Sequence, residues 1–374
     1  MPRDRCADGS HLFTTAPVQT GEMGISPCNA DKKTAEETIM SGHFGARGKR
    51  GSVGSRLAAA SLFACAMGLA AANVSAADRS AAPITIVVPF AAATATDVAA
   101  RYIGQKITES TGRAVVVDNR PGANGIIGIQ TAKSLPSSAN VILMTSNTTQ
   151  AANPSLFKDL PYDPVADFKP ITTITIGGVL LVVNPASGIT NVSELVEAAK
   201  KNPGKLTFGS GNSTSQAGGE MLKQAAGIDI LYVPYKSSPA AMADLMGGQI
   251  DMAFSDPISV KPLIAAGRLR AIGVTATKRI PGFDDVPTLQ EEGLKDYDLS
   301  GWIAAYTPST ASDEQVQSYS KLIVDILKLK ESEAFFGERG WRVVADSPSA
   351  LASFQKAETA RWKTLVGTSG MKVN

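Results

Sequence analysis

The sequence predicts an α/β fold with mostly parallel sheets in two lobes. Short β-branched runs alternate with helical patterns over most of the chain, and small-residue loops join the two. Strands that alternate with helices pair in parallel, because a parallel pair needs a long crossover connection. The chain has 374 residues, more than one compact core requires, so we expect two lobes of sheet flanked by helices.

Strands are predicted where short apolar, β-branched runs are bounded by turn residues. These runs are residues 84–88, 114–117, 141–145, 178–183, 206–209, 230–233, 252–255 and 269–274. Helices are predicted where apolar residues recur every three or four positions. Thr96 or Asp97 is expected to cap the first of them. These patterns cover residues 98–107, 126–134, 192–201, 219–226, 240–246, 262–266, 313–329 and 349–365.

The N-terminal segment that ends at Ala76 predicts an export signal. Basic residues at 47, 49, 50 and 56 precede an uncharged, mostly apolar run at 57–72, and Val74-Ser75-Ala76 supplies the small residues of a cleavage site. We therefore expect cleavage near Ala76 and a periplasmic protein. A membrane anchor is the first alternative, although sixteen residues are short for a span. A lipoprotein modified at Cys65 is the second alternative. Met1 and Met40 are both candidate start residues, and Met40 gives a signal of ordinary length.

Composition excludes several kinds of chemistry after Ala76. All three cysteines and both histidines precede it, so the rest of the chain has no thiolate, no imidazole base and no Cys/His zinc site. Of 36 Lys/Arg and 34 Asp/Glu, 8 and 6 lie before Ala77, which leaves 28 of each. This neutral remainder has no basic run for a nucleic acid. We expect no cofactor, no metal and no nucleic-acid partner.

Two loops of small residues, 90–97 and 209–216, each lead from a strand into a helix. A helix N-terminus offers free N–H groups to an anion, and small side chains let a ligand approach the backbone. Ligands of open α/β sheets bind at such loops, so the pair predicts a site for a carboxylate. The alternative is that both are ordinary loops with helix caps. The glycine-rich signatures of phosphate-binding and dinucleotide-binding loops are both missing.

Several short motifs follow one another in an order and spacing that resemble the Bug/TctC family, the periplasmic binding proteins of tripartite tricarboxylate transporters. The resemblance covers residues 83–370. The motifs are Val88-Pro89-Phe90 with Thr96-Asp97, Val117-Asp118-Asn119-Arg120-Pro121-Gly122-Ala123, Asn153-Pro154-Ser155-Leu156-Phe157, Leu160-Pro161-Tyr162-Asp163-Pro164, Val233-Pro234-Tyr235-Lys236, Asp285-Val286-Pro287-Thr288 and Gly301-Trp302.

The resemblance implies a type 2 periplasmic-binding fold with two crossover segments, near residues 183–185 and 300–304. The first lobe would comprise residues 77–183 and 301–374, and the second lobe would comprise Asn184–Ser300. It also implies a monomer that captures a small carboxylate, which can be a di- or tricarboxylate, an acidic amino acid or an aromatic acid. The expected partner is the permease of a tripartite tricarboxylate-type transporter, or a sensor kinase.

The ligand-binding residues that the resemblance implies lie on the two loops, after the third strand, and at the rim of the second lobe. They are Phe90, Ala92, Ala93, Thr94, Thr96, Asp97, Ser146, Asn147, Thr148, Gly211, Asn212, Ser213, Thr214, Ser215, Gln216, Tyr235 and Asp256. Two positions depart from the family pattern. Ala93-Thr94 replaces a common Gly-Gly pair, so its methyl groups should narrow the pocket or re-aim the loop, and Gln216 replaces a common histidine.

Two alternative functions stay open at this point. A protein with an altered first loop could have lost its ligand and serve as an interaction protein. A periplasmic enzyme could work with carboxylates alone, for which Asp97, Asp244, Asp251 and Asp256 are the candidates. Asp244 and Asp251 fit the ends of helices better than an acid–base pair. Asp256 follows an apolar strand and is either structural or ligand-facing.

Overall fold

The computed structural model describes residues 82–136 and 139–373. The predicted signal and cleavage site, both candidate start residues, and every cysteine and histidine lie outside the described residues. The strands are β1 Ile84–Val88, β2 Val115–Asn119, β3 Asn140–Ser146, β4 Phe168–Gly178, β5 Leu180–Val183, β6 Thr207–Ser210, β7 Leu231–Pro234, β8 Met252–Ser255, β9 Arg270–Val274, β10 Ser300–Pro308 and β11 Arg342–Val343.

The helices alternate with these strands. They are α1 Ala95–Thr111, α2 Ile126–Ser134, α3 Asn153–Leu156, α4 Val192–Lys201, α5 Ser213–Ala226, α6 Ser238–Met246, α7 Pro257–Ala265, α8 Asp313–Leu327, α9 Lys330–Gly337 and α10 Pro348–Thr368. Short 3-10 turns at Ala123–Gly125 and Pro185–Ser187 and a π-helical turn at Thr148–Ala152 complete the regular elements of the described chain. None of the described helices is both long enough and apolar enough to cross a bilayer.

Two separate sheets confirm the predicted α/β architecture. The first has the strand order β11-β4-β10-β3-β1-β2, and the second has β7-β6-β8-β5-β9. Among the described strands, parallel pairing is confined to β2–β1–β3 and β7–β6–β8, and the other pairs are antiparallel. The expectation of mostly parallel sheets was therefore too simple. The strands β4, β5 and β10 lie on the segments that join the sheets and need no crossover helix, so each sheet continues from its parallel trio into antiparallel strands.

Alternation along β1 shows how the first sheet is buried on both faces. Ile84 and Ile86 point to the face covered by α1, where they pack in one cluster with Ile103. Val87 points to the opposite face and packs in the cluster that contains Ile129 of α2. A strand covered on both faces reads as a continuous apolar run, which is why β1 was predictable from sequence with its observed bounds.

The chain passes from the first sheet to the second at Val179 and returns at Leu299. These two crossings lie side by side, because Ser300 pairs with Gly178 across β10 and β4. Buried Thr275 joins them: Val179 N donates to Thr275 Oγ1 over 2.9 Å, and that hydroxyl donates to Leu299 O over 2.6 Å. The backbone of Thr275 bonds to the same two residues, so this one residue joins both crossings.

Both observed crossings lie a few residues upstream of the predicted ones. Residues 180–183 pair with β8 and β9 of the second sheet, although the predicted boundary put them with the first. Residues 300–304 already pair with β4 in the first sheet. The apolar run at 178–183 gave no sign of the change of sheet at Val179, because Val179 and the residues that follow it are equally buried.

Candidate functional site

The first loop is built around the N-terminus of α1. Thr94 is the N-cap: its hydroxyl accepts from Asp97 N over 3.4 Å and donates to Ala91 O over 2.8 Å. Asp97 turns back to accept from Ala93 N over 2.9 Å, and it forms an ion pair with Arg101. Both side chains therefore shape the loop, and the Asp97 carboxylate is buried.

Ala93 has a backbone φ of 64°, a left-handed conformation that glycine adopts without strain. The sequence departure at this position therefore lies at a site of backbone strain. Ala92 and Ala93 are both exposed. The expectation that a methyl group at Ala93 narrows the pocket is wrong, because this exposed residue lines neither the cavity nor the cleft described below.

The second loop begins at Gly211 and leads into α5 of the second sheet. Asn212 is the N-cap, since its Oδ1 accepts from Ser215 N over 2.9 Å, while its Nδ2 donates to Ser238 Oγ over 3.1 Å. Gly211 lies against the backbone of Ser237 and Ser238, and a Cβ at Gly211 would lie 2.1 Å from both Ser237 C and Ser238 N. Only glycine fits here, because those are backbone atoms that cannot swing aside.

The two loops face each other across a small enclosed cavity. Its volume is about 30 Å³, enough for about two water molecules. A wider cleft of about 680 Å³ adjoins it on the side of α5 and β7. Hydrogen bonds join the two sides of the cavity: Asn147 Nδ2 donates to Thr214 Oγ1, and Asn124 Nδ2 donates to Ser213 Oγ, each over 2.7 Å.

About half of the residues that the sequence singled out line this cavity. They are Phe90, Thr94, Thr96, Ser146, Asn147, Gly211, Asn212, Thr214 and Asp256. Gln216 and Tyr235 line the adjoining cleft instead, and Tyr235 donates its hydroxyl to Asp244 over 2.8 Å. The remaining predicted residues line neither space: Ala92 and Ala93 are exposed, and Asp97, Thr148, Ser213 and Ser215 are buried in the protein.

Sequence reasoning missed three walls of the cavity. The turn between β2 and α2 contributes Pro121, Gly122, Asn124 and Gly125, a segment that the sequence indicates only as a turn-rich loop. Lys236 and Ser237 come from the turn before α6, Ser238 is the first residue of α6, and Trp341 comes from the segment after α9. The composition of the 121–125 turn is a usable signal, since Gly122, Asn124 and Gly125 all adopt positive φ. Nothing local to Trp341 indicates its position.

Asp256 is the one acidic side chain in the described wall of the cavity. It is the N-cap residue of α7, but its carboxylate makes no capping hydrogen bond. Burial raises the pKa of Asp256 from 3.8 to about 6. Burial and the bond to Asp244 also raise the pKa of Tyr235 to about 12, so its hydroxyl stays protonated at neutral pH. Among the described residues, no cluster of His, Cys, Asp or Glu could hold a metal ion.

Comparison with known proteins places this geometry in a family. Residues 99–371 match the family model described as the tripartite tricarboxylate transporter family receptor, TctC. The protein BugT of Bordetella pertussis is 31% identical over 320 residues, which are 85% of this chain and 98% of BugT.

Solved structures agree in fold. The structure of R. palustris Rpa4515 with adipate superposes with a TM-score of 0.75 at 30% identity, over 77% of this chain and 97% of that one. The periplasmic binding protein BugD gives a TM-score of 0.73 at 29% identity, over 78% and 98%. The predicted resemblance is confirmed, and this chain belongs to the tripartite tricarboxylate transporter receptor family, TctC.

Proposed function

We propose that this protein is a periplasmic solute-binding protein that encloses a small carboxylate between two lobes and delivers it to a tripartite tricarboxylate-type membrane transporter. The observation that carries the proposal is the meeting of two helix N-termini, those of α1 and α5, from two different sheets at one cavity. Each N-terminus adds unpaired backbone N–H groups and a partial positive charge, a combination that favours an anion.

The lining of the cavity supports a grip that uses backbone and small polar groups. Arginine is missing from the described residues that line it, and Lys236 is exposed. The hydroxyls and amides of Thr94, Thr96, Asn212 and Thr214 lie around the two N-termini. Recognition through such groups fits a ligand whose carboxylate accepts several hydrogen bonds at once. The relative with adipate supports a dicarboxylate as the first ligand to test.

We propose the two sheets, with their helices, as the two lobes. The side-by-side crossings at Val179 and Leu299 form a narrow two-chain connection, which is the arrangement that permits hinge closure. The enclosed volume of about 30 Å³ is too small for a dicarboxylate, so a ligand has to enter while the lobes are further apart. The hydrogen bonds Asn147–Thr214 and Asn124–Ser213 would break as the lobes separate.

The test is ligand titration of protein exported into the periplasm of a Gram-negative host. Mass spectrometry of the purified protein checks the proposed cleavage near Ala76. Thermal unfolding and calorimetry with adipate, glutarate, malate, citrate, glutamate and an aromatic acid then test binding. We expect at least one acid to raise the melting temperature at a concentration well above its dissociation constant. A panel without any binder would refute the proposal and favour an interaction protein.

The same samples address an enzymatic alternative. Family membership indicates a receptor, and among the described residues the cavity holds one carboxyl and one exposed lysine as its ionisable groups. Acid–base catalysis by carboxylates needs two such groups on either side of the reacting bond. We therefore expect the bound acid to be recovered unchanged after prolonged incubation. Product formation would contradict the receptor proposal.

A further inference from the structure

Two hydrogen-bond acceptors and an indole ring lie together beside Gly301 on β10. A Cβ built on this glycine would lie 3.8 Å from Asp256 Oδ1, 3.8 Å from Asn147 Oδ1 and 3.7 Å from Trp341 Cη2. Asp256, Asn147 and Trp341 all line the cavity between the two helix N-termini. This Cβ position, the Gly301 point, therefore lies within contact distance of two oxygen acceptors and an indole ring that belong to residues of the cavity wall.

The orientation of the Asn147 amide is fixed by its own hydrogen bonds. Its Oδ1 accepts from Trp302 N over 3.3 Å, and its Nδ2 donates to Thr214 Oγ1 over 2.7 Å. The oxygen therefore faces the Gly301 point, and it keeps a second lone pair for a ligand. Because the amide nitrogen is directed towards Thr214, Asn147 presents an acceptor at this point.

Asp256 presents an unpaired carboxylate at the same point. An aspartate at an N-cap normally accepts from the first turn of its own helix, and Asp256 does not. Among the described residues it has no hydrogen-bond or ion-pair partner, although burial raises its pKa to about 6. A largely buried carboxylate without a partner is costly, so a protein retains one where a partner arrives with a ligand.

Two parts of the cavity wall thus offer opposite hydrogen-bonding groups. Donors at the N-termini of α1 and α5 suit a carboxylate, whereas the group around Gly301 suits a hydrogen-bond donor or a cation. A second carboxylate beside Asp256 would repel it, and an ammonium ion would be attracted both to the carboxylate and to an aromatic ring. The preference between the two kinds of ligand follows from charge alone.

We propose that Asp256, Asn147 and Trp341 form an ammonium-binding subsite, so that the ligand of this protein is an amino carboxylate and not a di- or tricarboxylate. This inference rests on the proposed function, because it assumes that a carboxylate binds at the two helix N-termini. It adds the chemical class of the ligand and assigns Asp256 as the residue that selects it.

In the part of the chain that the structure describes, no charged side chain pairs with Asp256. Lys236 is the other charged side chain in the described cavity wall, and it forms no ion pair with Asp256. From α1, Asp97 is paired with Arg101. Further along α7, Lys261 donates to the carbonyl of Glu338, while Arg339 lies over the ring of Phe335. Each neighbouring charge is therefore engaged elsewhere or exposed.

The test compares ligands that differ in one end group. Calorimetry at pH 7.5 uses 3-aminopropanoate to 6-aminohexanoate, each against the dicarboxylate with the same number of methylene groups, together with a set of α-amino acids. We expect the best amino carboxylate to bind more tightly than the best dicarboxylate. In Asp256→Asn, the amino ligand should lose about 10- to 100-fold in affinity, because a hydrogen bond to a charged group is lost. The dicarboxylates should gain.

A second variant keeps the Asp256 carboxylate and blocks the approach of a ligand to it. Gly301→Ala places a methyl group at the Gly301 point. The variant should fold, because the contacts of that methyl group are at ordinary distances and the backbone of Gly301 has a conformation that alanine adopts. We expect it to lose the amino ligand at least tenfold while changing the melting temperature little. Gly367→Ala, at an exposed position with open space, and Asp325→Asn, in an exposed ion pair, are the matched controls and should bind like the parent protein.

The pH dependence gives an independent readout of the same charge. An ammonium ligand needs ionised Asp256, so its affinity should rise about tenfold between pH 5 and pH 7.5, with proton release on binding. A dicarboxylate should show the opposite trend and take up a proton. Tighter binding of dicarboxylates by the parent protein, or amino-ligand affinity unchanged in Asp256→Asn, would overturn this inference and leave the proposed function standing. Failure of every acid to bind would overturn both.

Discussion

Replacement of Gly211 by alanine tests whether the second loop lies where the structure has it. The new Cβ would lie 2.1 Å from Ser237 C and Ser238 N and 2.6 Å from Ser237 O. Real Cβ atoms essentially never approach another heavy atom within 3.0 Å, so the loop and the start of α6 must separate. Overpacking of this kind costs about 1–3 kcal/mol, and we expect the upper end because every contacted atom belongs to the backbone.

Thermal unfolding measures that cost. For a chain of this size, about 3 kcal/mol corresponds to a fall of about 4–5 °C in the melting temperature. Ligand affinity should fall as well, because Gly211 and Asn212 line the cavity. Gly367→Ala is the control: it removes a glycine from the exposed part of α10 and should stabilise by up to about 1 kcal/mol. A Gly211→Ala protein with unchanged melting temperature and affinity would refute the placement of this loop.

Three further substitutions test separate parts of the structure. Ala93→Gly should be neutral or stabilising by up to about 1 kcal/mol, because the backbone φ of Ala93 is 64°. The same change at the neighbouring exposed Ala92 should destabilise the protein by about 0.5–1 kcal/mol. Equal losses of stability in the two variants would contradict a strained turn at Ala93. Thr275→Val removes the two side-chain bonds to the crossings, while the backbone bonds of Thr275 to Val179 O and Leu299 N remain. It should cost about 2–4 kcal/mol in urea unfolding; a loss below about 0.5 kcal/mol would show that this side chain does not hold the crossings. Because burial raises the pKa of Asp256 from 3.8 to about 6, its ionisation destabilises the empty fold by up to about 3 kcal/mol above pH 6 and this penalty disappears as the pH falls towards 4. Asp256→Asn should therefore be more stable than the parent at pH 7.5 and should lose that part of the pH dependence; a less stable variant with the parent's pH profile would contradict the assignment.

Continuous apolar runs made much of the fold predictable. Strands buried on both faces, such as β1 and β8, were predicted with their observed bounds. The strand β4 was missed although it is the longest of the first sheet, because Pro170 and a row of threonines interrupt its apolar pattern. Pro170 has no N–H to donate, and the pairing of β4 with β10 shifts in register beside it. Burial by tertiary contacts overrides the weak local signal.

The candidate site was predictable as two loops but not as a surface. Their composition indicated correctly that each loop leads from a strand into a helix, but the helices begin earlier than predicted, at Ala95 and Ser213. The direction of each side chain depends on backbone angles that composition does not determine. Ser213, Thr214 and Ser215 all belong to the first turn of α5, yet Thr214 lines the cavity while Ser213 and Ser215 do not. Trp341 reaches the cavity from the segment after α9, far along the chain from the first loop, so its role emerges only from the folded chain.

The most direct measurement is a crystal structure of the exported protein with the tightest ligand from the titration panel. We expect one ligand enclosed between the two sheets, with a carboxylate about 2.7–3.2 Å from backbone N–H groups at the N-termini of α1 and α5. A ligand bound outside the space between Thr94 and Asn212, or one held without contacts to either N-terminus, would contradict it.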